Sequence, residues 1–486
     1  MYYLTPKISS RVKTLLEDKN LLLQLGEALG SPLNLVLPQA PPQNLEGFLG
    51  VLKEFKIRGK IFYACKANQA QALIRGLSKT PAFLDAASRG ELIDALACGF
   101  AGPRIEATGP KNPEFLALCL AHGVMINADD LNELRQIRRM TASLNLSRPA
   151  PVMARINDFA LPGENFVPKD LRFGIRSQEL DELFALLKAD QSLDFTGFSC
   201  HLATTSPRER AMALENLITL TLRAWEEGLN PRAIDLGGGF SLNFLADRQE
   251  WEDYISSLKN SLLDKTLPSY SWNDSGLGFW AENGRLRGAA KFSDFYLPRD
   301  QFAELRETLS THSPRLSIRL GDFFAENGVK LYLEPGRSLL DQAGLTLARV
   351  INLKPSLRGE NLVILEMNRT NLNSQDLEFL SDPVLISERP AEQGDPAEPP
   401  YAAFLAGSLC LPHDFITRRK VFFRQKPRLG DWLAFINTAG YFMDFAESAV
   451  LKQPLARKAA LGIKNHRIRW WLDQNYPLLE DWEEKA

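Results

Sequence analysis

Residues 61–87, IFYACKANQAQALIRGLSKTPAFLDAA, read as strand, helix, strand. The apolar run IFYACK (61–66) is followed by NQAQALIRGLSK, whose apolar residues recur every three or four positions, and then by AFLDAA (82–87). Two strands joined through a helix pair in parallel by a right-handed crossover. The pattern continues in RIEATG (104–109), MINAD (125–129), VMARIN (152–157), FTGFSCHL (195–202), AIDLGG (233–238) and VKLYLEPG (329–336). Helical stretches such as RGELIDALACGF and RERAMALENLITLTLRAWEEG lie between them. Eight strands over roughly 250 residues predict a closed eight-fold β/α barrel, with a doubly wound open sheet as the alternative.

Outside this region the pattern changes. After Gly344 closely spaced strand patterns follow without long helices: LTLARVINL, NLVILEMN, YAAFLAGSLC, KVFFRQ and DWLAFINTA. They predict a mostly antiparallel β domain. ISERPAEQGDPAEPP reads as a surface loop, and ARKAALGIKNHRIRWWLDQ as a return to helix. The spacing between the seventh and eighth strands is long, so residues 241–328 read as an insertion near the barrel mouth. It is either an ornamental loop or a lid or substrate wall. The expected organisation is an N-terminal segment 1–45, a barrel 46–344 and a β domain with terminal helices 345–486.

Composition excludes several classes. The 486 residues are 45% hydrophobic and 24% charged, a globular mix rather than a disordered one. Lys plus Arg total 57 against 59 for Asp plus Glu, which gives no general expectation of nucleic-acid or membrane-surface binding. No apolar run reaches the ~20 residues of a spanning helix, and MYYLTPKISSRVK lacks the apolar core of an export signal. A cytoplasmic protein is expected. Five cysteines without a CxxC pair and five histidines without HExxH predict neither a disulfide framework nor a zinc site.

The reactive residues fall where a barrel would gather them, at the C-terminal strand ends. Lys66 ends the first strand, His201 the sixth, Gly237, Gly238 and Gly239 the seventh, and Glu334-Pro335-Gly336-Arg337 the eighth; Asp85 lies on the second and Arg155 on the fifth. A lysine closing a buried strand is either a rim residue in water or an amine whose charged form is disfavoured, as carbonyl chemistry requires. Three glycines after a strand are either a tight turn or a loop whose N–H groups approach an anion. A lysine together with a phosphate loop suggests pyridoxal phosphate.

With these residues in place, the chain resembles the fold-type III pyridoxal-phosphate decarboxylases, the group of the diaminopimelate, ornithine and arginine enzymes. The matching stretches are FYACKAN, FLDAASRGEL, IEATGPKN, INADDLNEL, RFGI, HLATT, IDLGGGF, EPGRSLLDQAG and GSLCLPHD, in the family's order over roughly residues 30 to 445. The resemblance implies an alanine-racemase-type barrel plus a β domain onto which the N-terminal segment packs. It implies that Lys66 holds pyridoxal phosphate covalently and His201 stacks on its ring. Thr204, Gly237, Gly238, Gly239, Gly336 and Arg337 would bind the phosphate and Glu334 would face the pyridine nitrogen, with Asp85 and Arg155 completing the cofactor-binding set. A carboxylate at that nitrogen favours decarboxylation over racemisation or epimerisation, the alternative reaction on this fold, where an arginine takes the place. A decarboxylase-like regulator without catalysis is the non-enzyme alternative, against which the joint presence of Lys66, His201, Glu334 and Cys410 argues.

Cys410 matches the cysteine that family members donate from a neighbouring subunit to protonate the carbanion, and Asp414 matches a substrate-site residue, as does Arg337. Both Cys410 and Asp414 imply a homodimer with shared active sites. The phosphate-binding tyrosine would be Tyr441, although an ungapped alignment on Met443 puts Ala439 there. Leu411, followed by Pro412, stands where relatives acting on a diamino acid carry an acidic residue. The expected substrate is therefore an amino acid with a larger, acylated or otherwise modified side chain.

Overall fold

The computed structural model describes residues 2–477 except 147, 159–171, 190, 203, 373–376 and 390–399. The chain forms two compact units. One holds residues 41–241 and 299–339, and the other holds residues 1–40, 242–298 and 340–476.

The first unit is a closed parallel barrel of eight strands. They are β1 (Gly59–Ala64), β2 (Phe83–Ala86), β3 (Ile105–Ala107), β4 (Met125–Ala128), β5 (Ala150–Arg155), β6 (Leu193–Ser199), β7 (Ala233–Asp235) and β8 (Lys330–Leu333). Each coincides with one of the runs singled out in the sequence, and β8 closes on β1 with Leu331 opposite Gly59. The helices between them begin where short polar side chains can satisfy free N–H groups. Ser88, Asn112, Asp130 and Ser206 each accept from the N–H three residues on. Phe62, Met125, Met153, Ala233 and Tyr332 fill the barrel interior. Above this apolar layer the inward positions change to Asp85, Glu106, Asn127, Ser199, Asp235 and Glu334, all buried. The acidic groups thus stand above an apolar layer, at the C-terminal ends of the strands.

The second unit is built on a nine-stranded sheet. Its central strand, Gly344–Pro355, pairs antiparallel with Leu33–Val36, Asn361–Leu365 and Trp432–Ile436. The N-terminal segment thus supplies an interior strand, buried at every position. Residues 242–298 are not an ornamental loop. Trp251, Tyr254, Phe292 and Phe295 belong to the same apolar core as Phe379, Leu433 and Phe435, which accounts for the aromatic content of the stretch.

The helix expected over ARKAALGIKNHRIRWWLDQ is a hairpin instead. Strands Arg457–Lys464 and Arg467–Leu472 pair antiparallel, and the first runs parallel to Leu33–Val36. Asn465 and His466 both have positive φ, the two-residue turn whose twist suits a hairpin. A short 3-10 turn, Asp473–Asn475, is all that remains helical among the described residues there. The loop expected over residues 386–400 lies mostly outside the described residues. No helix among the described residues is long and apolar enough to cross a membrane.

Candidate active site

Lys66 sits on the one-turn 3-10 segment Cys65–Ala67 that ends β1. Its Nζ lies 3.9 Å from Oδ2 of Asp85, at the end of β2. Asp85 Oδ1 accepts from the Thr108 hydroxyl at 2.5 Å. Burial pushes the Asp85 carboxyl up to about 7, against the opposing pull of Lys66. It therefore shares its proton near neutrality.

On the neighbouring strand, β8, Glu334 at the C-terminal end meets His201, with Nδ1 and Oε2 3.6 Å apart. Burial works to raise the Glu334 carboxyl, but His201, Lys66 and Arg155 outweigh it and hold the group below its ordinary value. Glu334 is thus ionised. Burial lowers His201, which keeps the imidazole neutral at pH 7. Arg155 lies with its guanidinium 4.9 Å from the Phe173 ring centre.

The three glycines wrap tightly between the ends of β6 and β8. A Cβ on Gly237 would stand 2.6 Å from the Cys200 carbonyl oxygen, one on Gly238 2.4 Å from that of Glu334, and one on Gly239 2.6 Å from that of Leu202. Gly237 and Gly239 also take positive φ. The Glu334 N–H donates to the Gly237 carbonyl at 2.9 Å, so the glycine loop and the Glu334 segment are fastened together. Gly336 is buried and Arg337 half-buried just beyond. The Thr204 hydroxyl accepts the Ser206 N–H at 3.0 Å and donates to Glu209, at the start of helix Pro207–Glu226.

Lys66, Asp85, Arg155, His201, Thr204, Gly237, Gly238, Gly239, Glu334, Gly336 and Arg337 all belong to the barrel unit. Cys410, Asp414 and Tyr441 belong to the sheet unit. Cys410 is exposed, whereas Cys65, Cys98, Cys119 and Cys200 are buried. Asp414 is buried, and its two oxygens accept the N–H groups of Arg369 and Leu409, each at 2.8 Å. In this chain it holds the Cys410 loop in shape. Tyr441 adopts positive φ and sets its ring edge-on to Phe445.

Two carboxylates escaped the sequence reading. Glu106 on β3 and Asp235 on β7 lie fully buried beside Glu334, the nearest oxygens of all three within 4.8 Å of one another. Neither Glu106 oxygen has a hydrogen-bond partner among the described residues, nor has Asp235 Oδ2. Burial first, then mutual repulsion, pushes Glu106 and Asp235 well above the usual carboxylate range. The charge on Glu334 and burial away from water both favour the protonated forms of these two. The signal in the sequence was a charge inside each of the strand runs RIEATG and AIDLGG.

Residues 46–289 match the family described as "Pyridoxal-dependent decarboxylase, pyridoxal binding domain". Among curated proteins the chain is 30% identical over 432 residues to an uncharacterised protein, y4yA, of Sinorhizobium fredii, covering 88% of this chain and 86% of that one. It is 24% identical over 435 residues to the diaminopimelate decarboxylase of Methanothermobacter thermautotrophicus, covering 86% and 84%. The crystal structure of diaminopimelate decarboxylase from M. jannaschii superimposes with a TM-score of 0.68 at 18% identity, over 92% of this chain and 90% of the other.

Proposed function

The chain belongs to the pyridoxal-dependent decarboxylases, and on that premise we propose that it removes the α-carboxyl group of an amino acid whose side chain ends in an acylated or anionic group. The residues fit the cofactor: a glycine cradle with no room for a Cβ, a lysine at a strand end, and an ionised buried carboxylate. Lys66 would hold pyridoxal phosphate and Glu334 would face its pyridine nitrogen. The bound cofactor supplies an electron sink for the pair left on Cα when the bond to CO₂ breaks. Asp85, titrating near 7, takes or returns a proton at Lys66 Nζ. His201, its imidazole lowered by burial, would offer its ring face to the cofactor. Cys410, exposed on its loop, delivers the proton that replaces CO₂ at Cα. The reading includes a homodimer in which that thiol comes from the second copy.

The loop 407–414 carries the substrate assignment. Leu411 and Pro412 follow Cys410, so the acidic partner of a distal ammonium is missing there. Asp414 does not replace it, because both its oxygens are taken by backbone N–H groups. A cavity of about 740 Å³ in the same unit is bordered by Pro412 and His413 and lined by Lys291, Arg369 and Arg418. Its single carboxylate among the described residues, Glu378, is engaged by Arg418 and Thr417. An unpaired buried ammonium costs several kcal/mol, at least ~3. Cations beside an apolar wall favour a carboxylate-bearing tail instead.

The test is CO₂ release from a panel of free, N-acylated and carboxylate-tailed amino acids, with mass spectrometry of the products. Turnover of ornithine, lysine or meso-diaminopimelate at ~10⁴ M⁻¹s⁻¹ or above overturns the substrate reading. The Leu411→Asp variant should gain affinity for these diamino acids.

A further inference from the structure

We propose that Arg210, through an ion pair with Glu304, is the positioning residue that sets the phosphate-binding loops after β6 and β7 against one another. The inference rests on the reading that these loops take the cofactor phosphate. Arg210 lies on helix Pro207–Glu226 and Glu304 on helix Gln301–Ser310, and both are fully buried. A pair of charges so far from water persists only when its hydrogen bonds are filled. Here they are filled by the two loops.

Arg210 Nη1 donates to the Gly238 carbonyl at 2.7 Å, and Nη2 donates to the Thr204 carbonyl at 2.8 Å. The same guanidinium reaches Glu304 Oε1 through Nε at 3.2 Å and Nη2 at 2.8 Å. The other oxygen, Oε2, accepts the Ser241 N–H at 2.7 Å. One planar fork thereby ties residue 204 after β6 to residues 238 and 241 after β7. The Phe240 ring, 4.2 Å from the guanidinium carbon, packs against it.

The consequence concerns the direction of peptide dipoles. In a trans peptide the C=O and the following N–H point in opposite directions. Drawing the Gly238 and Thr204 carbonyls onto Arg210 removes two negative ends from the anion's side. It also turns the Gly239 and Thr205 N–H groups away from the guanidinium, the arrangement that receives a phosphate. A lysine could supply the charge but not two divergent donors in one plane.

The experiment compares binding of pyridoxal 5′-phosphate and of pyridoxal, which lacks the phosphate, to the reconstituted full chain by visible absorbance. The parent should prefer the phosphorylated form. Arg210→Lys should lose at least tenfold of that preference while its affinity for pyridoxal stays within twofold. Glu304→Gln, which leaves the guanidinium in place but loosens it, should lose a smaller part. Should Arg210→Lys fail to fold, the double variant R210L/E304L removes both charges together and carries the same measurement. An unchanged preference in folded variants overturns the positioning role, even if their melting temperatures fall. A parent without any preference overturns instead the phosphate reading on which the inference stands.

Discussion

Lys66 Nζ stands 3.9 Å from Asp85 Oδ2, and of the two side chains only the lysine reaches solvent. The carboxyl is therefore the strained member. Its value of about 7 in the folded chain lies above the ordinary 3.8, so the stability of the protonated form is complete at low pH and is lost as pH rises toward 7. The ceiling of that loss is roughly 4 kcal/mol. Thermal melts of cofactor-free Asp85→Asn should match the parent near pH 4 and exceed it increasingly up to about pH 7. Parallel curves across that window would refute the assignment.

Glu106 is the second strained acid. Gln keeps its shape and offers donors to Asp235 and Glu334, neither of which can charge it. Because the Glu106 carboxyl titrates above its ordinary value, its penalty appears only as pH climbs past that value. Glu106→Gln should raise the melting temperature by about 2–4 °C at pH 8 and leave it unchanged at pH 4, a gain of about 1 kcal/mol. An equal gain at both pH values would show that proton-holding is not the cause.

The glycine cradle admits a direct steric test. In Gly238→Ala the new Cβ meets the Glu334 carbonyl oxygen at 2.4 Å, a backbone atom that cannot swing aside. Cofactor affinity, followed by visible absorbance, should drop at least tenfold. Gly50→Ala, with nothing within 4 Å of its Cβ and helix on either side, should leave that affinity where it is.

The proposed sharing of sites between two copies makes a further demand. Lys66→Ala and Cys410→Ala proteins should each be inactive, yet mixed and allowed to exchange subunits they should recover part of the activity. No recovery, with exchange demonstrated by mass, would place lysine and thiol in the same chain's site.

Most of the barrel was legible because its signal is local. IFYACK, AFLDAA and the other runs are short, apolar and bounded by amphipathic helix, and all of them became strands around one closed sheet. Lys66, His201 and Glu334 were legible for the same reason: a polar residue that ends an apolar run must sit at a strand end. The stretch over Arg457–Leu472 reads as helix because RKAALGIK is rich in the helix formers Ala, Leu and Lys and lacks a strict two-residue alternation, yet it forms a hairpin. Its partner, Leu33–Val36, lies more than 400 residues away in the chain.

The sequence by itself therefore determined the order of strands and helices around the barrel, the residues that end its strands and the kind of cofactor chemistry they suit. Only the tertiary structure decided which carboxyl groups are buried together and in which direction each is shifted. Glu106, Asp235 and Glu334 come from the ends of three strands far apart in the chain, and their surroundings hold Glu334 below the ordinary carboxylate range and the other two well above it. Arg210 became a clamp because Glu304, Gly238 and Thr204 converge on it. Pairing and desolvation depend on distance in space, and no local pattern of residue types records that distance.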